Sequence, residues 1–466
     1  MVKKLLTYIR NRLKQTFDNI TNERLKDNLL QAIPFWIASI ITGLIAVLYA
    51  KIFGWGELLL FKIFHWKSWL IFIITPVAFV LSWWLVDRFA PYAKGSGIPQ
   101  VMASVDLANP RDRYMIKYLL SFKIIIIKII SSFVLITGGG IIGREGPTIQ
   151  IAGSVFRKVN ELLPRWWPKI SQKNMILTGA AAGLSAAFNT PLGGVVFAIE
   201  ELAKTHISYF KTALFTAVII AGLTAETLAG PYLYLGYPKT GGTTLWLMFP
   251  VILIAAISGI ASSYISGLML KINKFRAKLT HKKQHILFLI GTALIISSLA
   301  YFVDKNILGS GKELMEHSLF TSDKHQKWYM PILKIIGSTL SFTSGGAGGI
   351  FAPALSIGAS IGSVFSGLIN LTPEETNVII LAGMVAFLTG ITRAPFTSAI
   401  LVLEMTDRHS LIFHLMLAGM ISSIASMIIS RHSLYDSLKI GFLEKLNKEV
   451  RAPKDKLHLK DLVKRR

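Results

Sequence analysis

The sequence predicts an all-α polytopic membrane protein, and three features carry that prediction. The 466 residues are 52% hydrophobic and only 16% charged, and their mean hydropathy is +0.53. A soluble domain draws about a quarter of its residues from Asp, Glu, Lys and Arg, so a deficit over several domain lengths identifies lipid as the surrounding solvent. Long apolar runs recur along the chain. Between them lie shorter apolar segments broken by glycine and proline, which are tolerated at membrane depth only where the freed backbone faces protein or a water-filled cavity.

The elements follow in order. Residues Met1 to Leu30 form a basic amphipathic segment with Lys3, Lys4, Arg10, Arg12 and Lys14, and no small-residue cleavage site marks it as a removed signal peptide. Runs long enough to cross a hydrocarbon core of about 30 Å as helices cover Ile33 to Phe53, Trp69 to Val86, Met115 to Thr137, Ile207 to Leu228, Leu245 to Leu270, Ile286 to Val303 and Leu411 to Ile429. The broken segments are Gly138 to Val155, Gly179 to Glu200, Phe342 to Gly367 and Leu381 to Glu404, and they mark the expected working region. After Phe442 the chain turns basic again, from Lys445 and Lys448 through Lys454 to Arg466. The positive-inside bias therefore puts both termini in the cytoplasm and makes the number of crossings even. The expected organisation is a 1–30 cytoplasmic segment, a 31–437 transport domain and a 438–466 basic tail.

The broken segments repeat. At a shift of about 204 positions Gly179, Pro191 and Glu200 fall on Gly383, Pro395 and Glu404, and at about 206 Gly143, Pro147, Ile151 and Ser154 fall on Gly349, Pro353, Ile357 and Ser360. Agreement of two segments on nearly one offset indicates a duplication, with halves at about 31–230 and 243–437. The pattern leaves open whether the halves run parallel or inverted.

Several classes are excluded. The formal charge of +25 lies largely in tails and loops, with no basic, aromatic-interleaved stripe of the kind that binds nucleic acid. No H-E-x-x-H or G-x-S-x-G arrangement points to a hydrolase. With no cysteine and ten scattered histidines, no metal site or cofactor is expected, and the protein reads as a transporter, not an enzyme.

Three stretches share one design, a glycine-rich turn running into proline: Gly95-Ser96-Gly97-Ile98-Pro99, Gly143-Arg144-Glu145-Gly146-Pro147 and Gly348-Gly349-Ile350-Phe351-Ala352-Pro353. Proline favours the first helical position, so each stretch predicts a helix that starts inside the protein. A helix start offers unpaired N–H donors and about half a positive charge, and several converging in a dry interior make a site for a small anion without a full countercharge. Glu145 sits at such a start, where a carboxylate competes with an anion for the same donors and protonation would release them. Arg144 and Lys128 raise the local positive potential, and Lys128 alternatively snorkels at a helix end.

These motifs, in this order from about Gly95 to Tyr435, resemble the three signature motifs of the CLC family of chloride channels and chloride/proton antiporters. The resemblance implies a homodimer of all-helical subunits, each with two inverted repeats of tilted and broken helices and its own anion pathway. It implies that Ser96 supplies a hydroxyl to a central chloride, that the N–H groups of Ile350 and Phe351 complete its shell, and that the Tyr435 phenol closes the inner side. Hydroxyl donors hold a halide without adding a charge that would trap it. Taken alone, Ser96 equally fits a helix cap and Tyr435 a membrane-interface anchor. Glu145 matches the family's external gate and proton acceptor, and Glu201 the internal glutamate that receives protons in the antiporter branch. Gly95, Gly97, Gly146 and Gly349 shape the turns, and Glu200, whose repeat counterpart is Glu404, fits a structural acceptor of backbone hydrogen bonds. Gln100 and Met102 depart from the acidic residues common there. The expected activity is exchange of chloride for protons across a bacterial inner membrane, with a passive voltage- or pH-gated chloride channel as the alternative.

Overall fold

The computed structural model of the chain describes residues 12, 15, 18, 22–164, 166–203, 211–230, 233–241 and 245–451. Most of the basic N-terminal segment and the tail from Lys454 onward lie outside the described residues, so the expected cytoplasmic ends fall there.

The first half runs α1 (Glu23–Trp66), α2 (Ile71–Phe89), α3 (Ile98–Asp106), α4 (Phe122–Thr137), α5 (Glu145–Leu162), α6 (Gln172–Phe188), α7 (Pro191–Phe197) and α8 (Lys211–Ala229). The second half follows a similar succession of long and short helices: α9 (Met248–Ala277), α10 (Lys282–Phe302), α11 (Lys312–Phe320), α12 (Met330–Thr343), α13 (Phe351–Ser366), α14 (Pro373–Thr392), α15 (Pro395–Thr406) and α16 (Ile412–Ile429). One more helix, α17 (Leu434–Leu446), closes the chain. Among the described residues eight helices are long and apolar enough to cross a membrane. Large apolar side chains stay exposed on the outward faces of α1, α2, α8, α9 and α16, among them Leu48, Val77, Leu223, Leu253 and Ile428, as lipid-facing surfaces require. By contrast α5, α13 and α14 are buried along most of their length. No strand is present among the described residues, only two isolated bridges.

Two helices cross the expected boundaries at residues 30 and 437. Helix α1 is continuous from Glu23 to Trp66. Its polar first turns extend the apolar helix instead of ending it, since no Gly or Pro interrupts them before Pro34. Helix α17 likewise runs past residue 437.

The halves are related by a two-fold axis, read directly from reciprocal hydrogen bonds between equivalent residues. Gly143 N–H donates to Gly349 O at 2.8 Å, and Gly349 N–H donates to Gly143 O at 2.7 Å. Glu200 accepts from Phe396 N at 3.2 Å and Thr397 N at 2.7 Å. Its counterpart Glu404 accepts from Leu192 N at 3.0 Å and Gly193 N at 2.6 Å. When residue i binds j and the equivalent of j binds the equivalent of i, the two copies face each other across an axis, as in an isologous interface. The repeats therefore meet as an isologous pair, the symmetry that an inverted duplication requires. Each glutamate caps the first turn of the partner half's proline-started helix, satisfying N–H groups that have no intrahelical acceptor. Glu200 and Glu404 thus tie the two halves together through backbone hydrogen bonds.

Candidate functional site

The three glycine-proline motifs start α3, α5 and α13, and the backbone itself knits them together. Gly95 N–H donates to Gly346 O at 2.8 Å, Gly348 N–H donates to Gly95 O at 3.1 Å, and the Gly143–Gly349 pair joins the other two. Gly97, the N-cap of α3, has φ +104, a region that L side chains rarely enter. A methyl group there would also come within 2.7 Å of the Gln150 side chain and 3.0 Å of Lys128 Nζ. A methyl on Gly146 would collide with the Ser96 hydroxyl, so glycine lets the start of α5 approach the Ser96 turn.

Four of the residues expected to hold an anion gather at this junction. Ser96 and Tyr435 are buried and their hydroxyls face each other, yet neither meets a well-formed hydrogen-bond partner among the described residues. The Tyr435 ring stacks on Phe351, with centroids 6.3 Å apart and planes 10° from parallel. Ile350 is the N-cap of α13 and Phe351 its first residue, so their N–H groups belong to the turn that lacks intrahelical acceptors. Other buried hydroxyls of the chain also lack a partner among the described residues, but these two lie together beside a helix start, an arrangement that suits a small acceptor.

Glu145 is the first residue of α5 and only 1% exposed. Its carboxylate faces its own backbone N–H and that of Ala352 in the first turn of α13, which places a negative group where two helix starts meet. Oε1 also lies 3.4 Å from the hydroxyl of Tyr234. Arg144, one residue earlier, is partly exposed, and its positive charge acts on Glu145.

Lys128 corrects one of the readings left open. Instead of snorkelling, its ammonium is fully buried and donates to Ala93 O at 3.0 Å, Gly95 O at 2.9 Å and Gln150 Oε1 at 2.6 Å. It thereby ties the carbonyls on the N-terminal side of the Ser96 turn to α4. Snorkelling fails because Lys128 sits mid-helix on the inward face of α4, too far from either end for its stem to reach water.

Glu201 lies in the π-helical stretch Ala198–Ala203 after α7 and is 4% exposed. It borders a cavity of about 200 Å³ shared with Asp106, Lys173, Lys439 and Met102, where Lys439 pairs with Asp106 at 3.0 Å. Tyr435 stands within electrostatic reach of both Glu201 and Glu145. Met102 therefore lines the cavity beside Glu201 without an ionisable group, whereas Gln100 turns back to bond Tyr92 O at 3.1 Å and Lys94 O at 2.7 Å. Tyr234 and Gln150 are residues at this site that sequence reasoning missed. Gln150 carried a signal, a buried amide on an apolar helix, but Tyr234 lies in an irregular connection with none.

A duplicated set of inverted, broken helices around a buried carboxylate and two open hydroxyls defines a membrane transport protein of the CLC architecture. Comparison with known proteins gives the family. Residues 77–427 match the family model described as voltage gated chloride channel, and the chain belongs to that family. It is 28% identical over 456 residues to an H(+)/Cl(-) exchange transporter of Salmonella schwarzengrund, covering 93% of this chain and 94% of the relative. A relative from Salmonella paratyphi A matches equally. Among solved structures, a slow cyanobacterial Cl-/H+ antiporter superposes with a TM-score of 0.77 at 24% identity, over 90% of this chain and 99% of that one. A CLC-type fluoride/proton antiporter superposes with a TM-score of 0.73 at 17% identity, over 90% and 98%. These likenesses establish the fold.

Proposed function

We propose that the protein exchanges chloride for protons across a bacterial inner membrane, as a homodimer in which each subunit carries its own pathway and both termini face the cytoplasm. Chloride rests between the Ser96 and Tyr435 hydroxyls and the N–H groups of Ile350 and Phe351. It leaves past Glu145 when that carboxylate swings away. Protons travel from the cytoplasmic cavity to Glu201 and from there to Glu145 by a separate route. Coupling follows because Glu145 holds either a proton or the anion's place, and no rocking of whole halves is required.

One observation carries this reading: the Glu145 carboxylate, buried inside the protein, lies against the N–H groups of two converging helix starts. Membrane carboxylates are costly and functional, and this one competes for the donors an anion needs. Glu201 beside a cavity favours exchange over a passive channel. The relatives named as H(+)/Cl(-) exchangers support the same choice. In vesicles with a pH gradient, chloride and proton movements recorded together test it. Wild type should drive protons uphill at the expense of a chloride gradient, and Glu145→Gln should lose proton flux while passing chloride. Proton pumping that survives the substitution contradicts the reading, and a reversal potential blind to pH selects the channel.

A further inference from the structure

Tyr234 lies in the connection between the halves, after α8 and before α9, yet it is only 2% exposed. Its backbone is tied down, with Leu235 N–H donating to Met405 O at 3.1 Å. The ring meets Phe188, the last residue of α6, edge-on with centroids 5.0 Å apart and an angle of 82°. Phe188 in turn touches Phe351 at 6.3 Å, which stacks on Tyr435. Four aromatic rings thus form an unbroken chain from beside Glu145 to the Ser96–Tyr435 pair. At the Glu145 end the Tyr234 hydroxyl donates to Oε1 at 3.4 Å, and the Lys312 ammonium lies 5.1 Å from the ring centroid, within cation–π range.

We propose that Tyr234 is a positioning residue for the gate: its hydroxyl holds the ionised Glu145 carboxylate in the docked, occluding pose. This rests on Glu145 being the gate. The titratable and charged groups within electrostatic reach of that carboxylate are Arg144 at the start of its own helix, Tyr49 and Glu57 from α1, Tyr435 from α17, and Tyr234 with Lys312 behind it. Tyr234 gives it a side-chain hydrogen bond. A hydrogen bond to the charged form favours that form, so the bond makes the gate harder to protonate and to release. Removing the hydroxyl while keeping the ring releases the gate at a lower proton concentration.

The test is the dependence of chloride and proton flux on external pH, in vesicles, for wild type, Tyr234→Phe, Glu145→Gln and the double variant. Tyr234→Phe should move the midpoint of the pH profile upward by up to about one unit, since a bond of 3.4 Å is weaker than a short charge-assisted one, with the exchange ratio unchanged. In the Glu145→Gln background the same change should have no effect. Replacing Tyr234 by 3-fluorotyrosine, a more acidic phenol and stronger donor of nearly equal size, should move the midpoint downward and does not depend on Tyr234→Phe folding. An unmoved midpoint in both replacements, or an equal effect without the Glu145 carboxylate, overturns the inference while leaving the exchange reading intact. A wild type without proton coupling overturns both.

Discussion

The two halves carry the same frame and put it to different use. In the first half Gly95-Ser96-Gly97 starts a nine-residue helix, α3, with φ of +65 at Gly95 and +104 at Gly97. In the second half Gly309-Ser310-Gly311 starts a nine-residue helix, α11, with φ of +73 and +89 at its two glycines. Behind each turn a fully buried lysine holds backbone carbonyls. Lys128 holds those of Ala93 and Gly95, and Lys334 those of Ile307 at 3.1 Å and Leu308 at 3.3 Å. The contents of the two turns differ. The Ser96 hydroxyl is left open opposite Tyr435, whereas in the second turn Ser310 N–H donates to Glu57 Oε1 at 2.7 Å, so the chain's own carboxylate is docked there. The helix starts diverge as well: α5 begins with Glu145 and its equivalent α13 with Phe351. A helix start with a buried lysine behind it is thus a scaffold. What occupies the donors, and whether an ionisable group competes for them, sets what the scaffold does.

That difference can be broken or sharpened by paired substitutions at equivalent positions. The largest contrast is expected between Glu201 and its counterpart Met405. Glu201→Gln should cut proton flux at least about tenfold, the loss of an essential relay group. It should spare chloride flux, and Met405→Leu should leave both fluxes unchanged, as read in the same vesicles. A smaller contrast is expected between the serines. Ser96→Ala removes one neutral hydrogen bond of about 1 kcal/mol, so chloride binding measured by calorimetry should weaken about fivefold. Ser310→Ala should leave chloride affinity within twofold, and a loss equal to that of Ser96→Ala would mean that both halves bind the transported anion.

Much of this was legible in the sequence because membrane insertion imposes length and apolarity. The long runs from Ile33 to Phe53 and from Leu245 to Leu270 became the long helices α1 and α9. The three glycine-proline turns became the starts of α3, α5 and α13 because proline and glycine leave the backbone few other choices. The matching turn at Ser310 went unread because its surroundings diverged, with Lys312 and Glu313 where Ile98 and Pro99 stand. Lys128 was readable as a charge but not as a clamp, since its carbonyl partners come from a segment 33 to 35 residues away. Tyr234 was beyond reach for a similar reason: its value comes from meeting Glu145 across 89 residues, and no periodicity encodes that.

The most direct measurement is anomalous scattering from crystals of the protein grown with bromide. The account predicts a peak between the Ser96 and Tyr435 hydroxyls and the first N–H groups of α13, with none at the Ser310 turn where Glu57 is docked. A bromide at Ser310, or none beside Ser96, would contradict it.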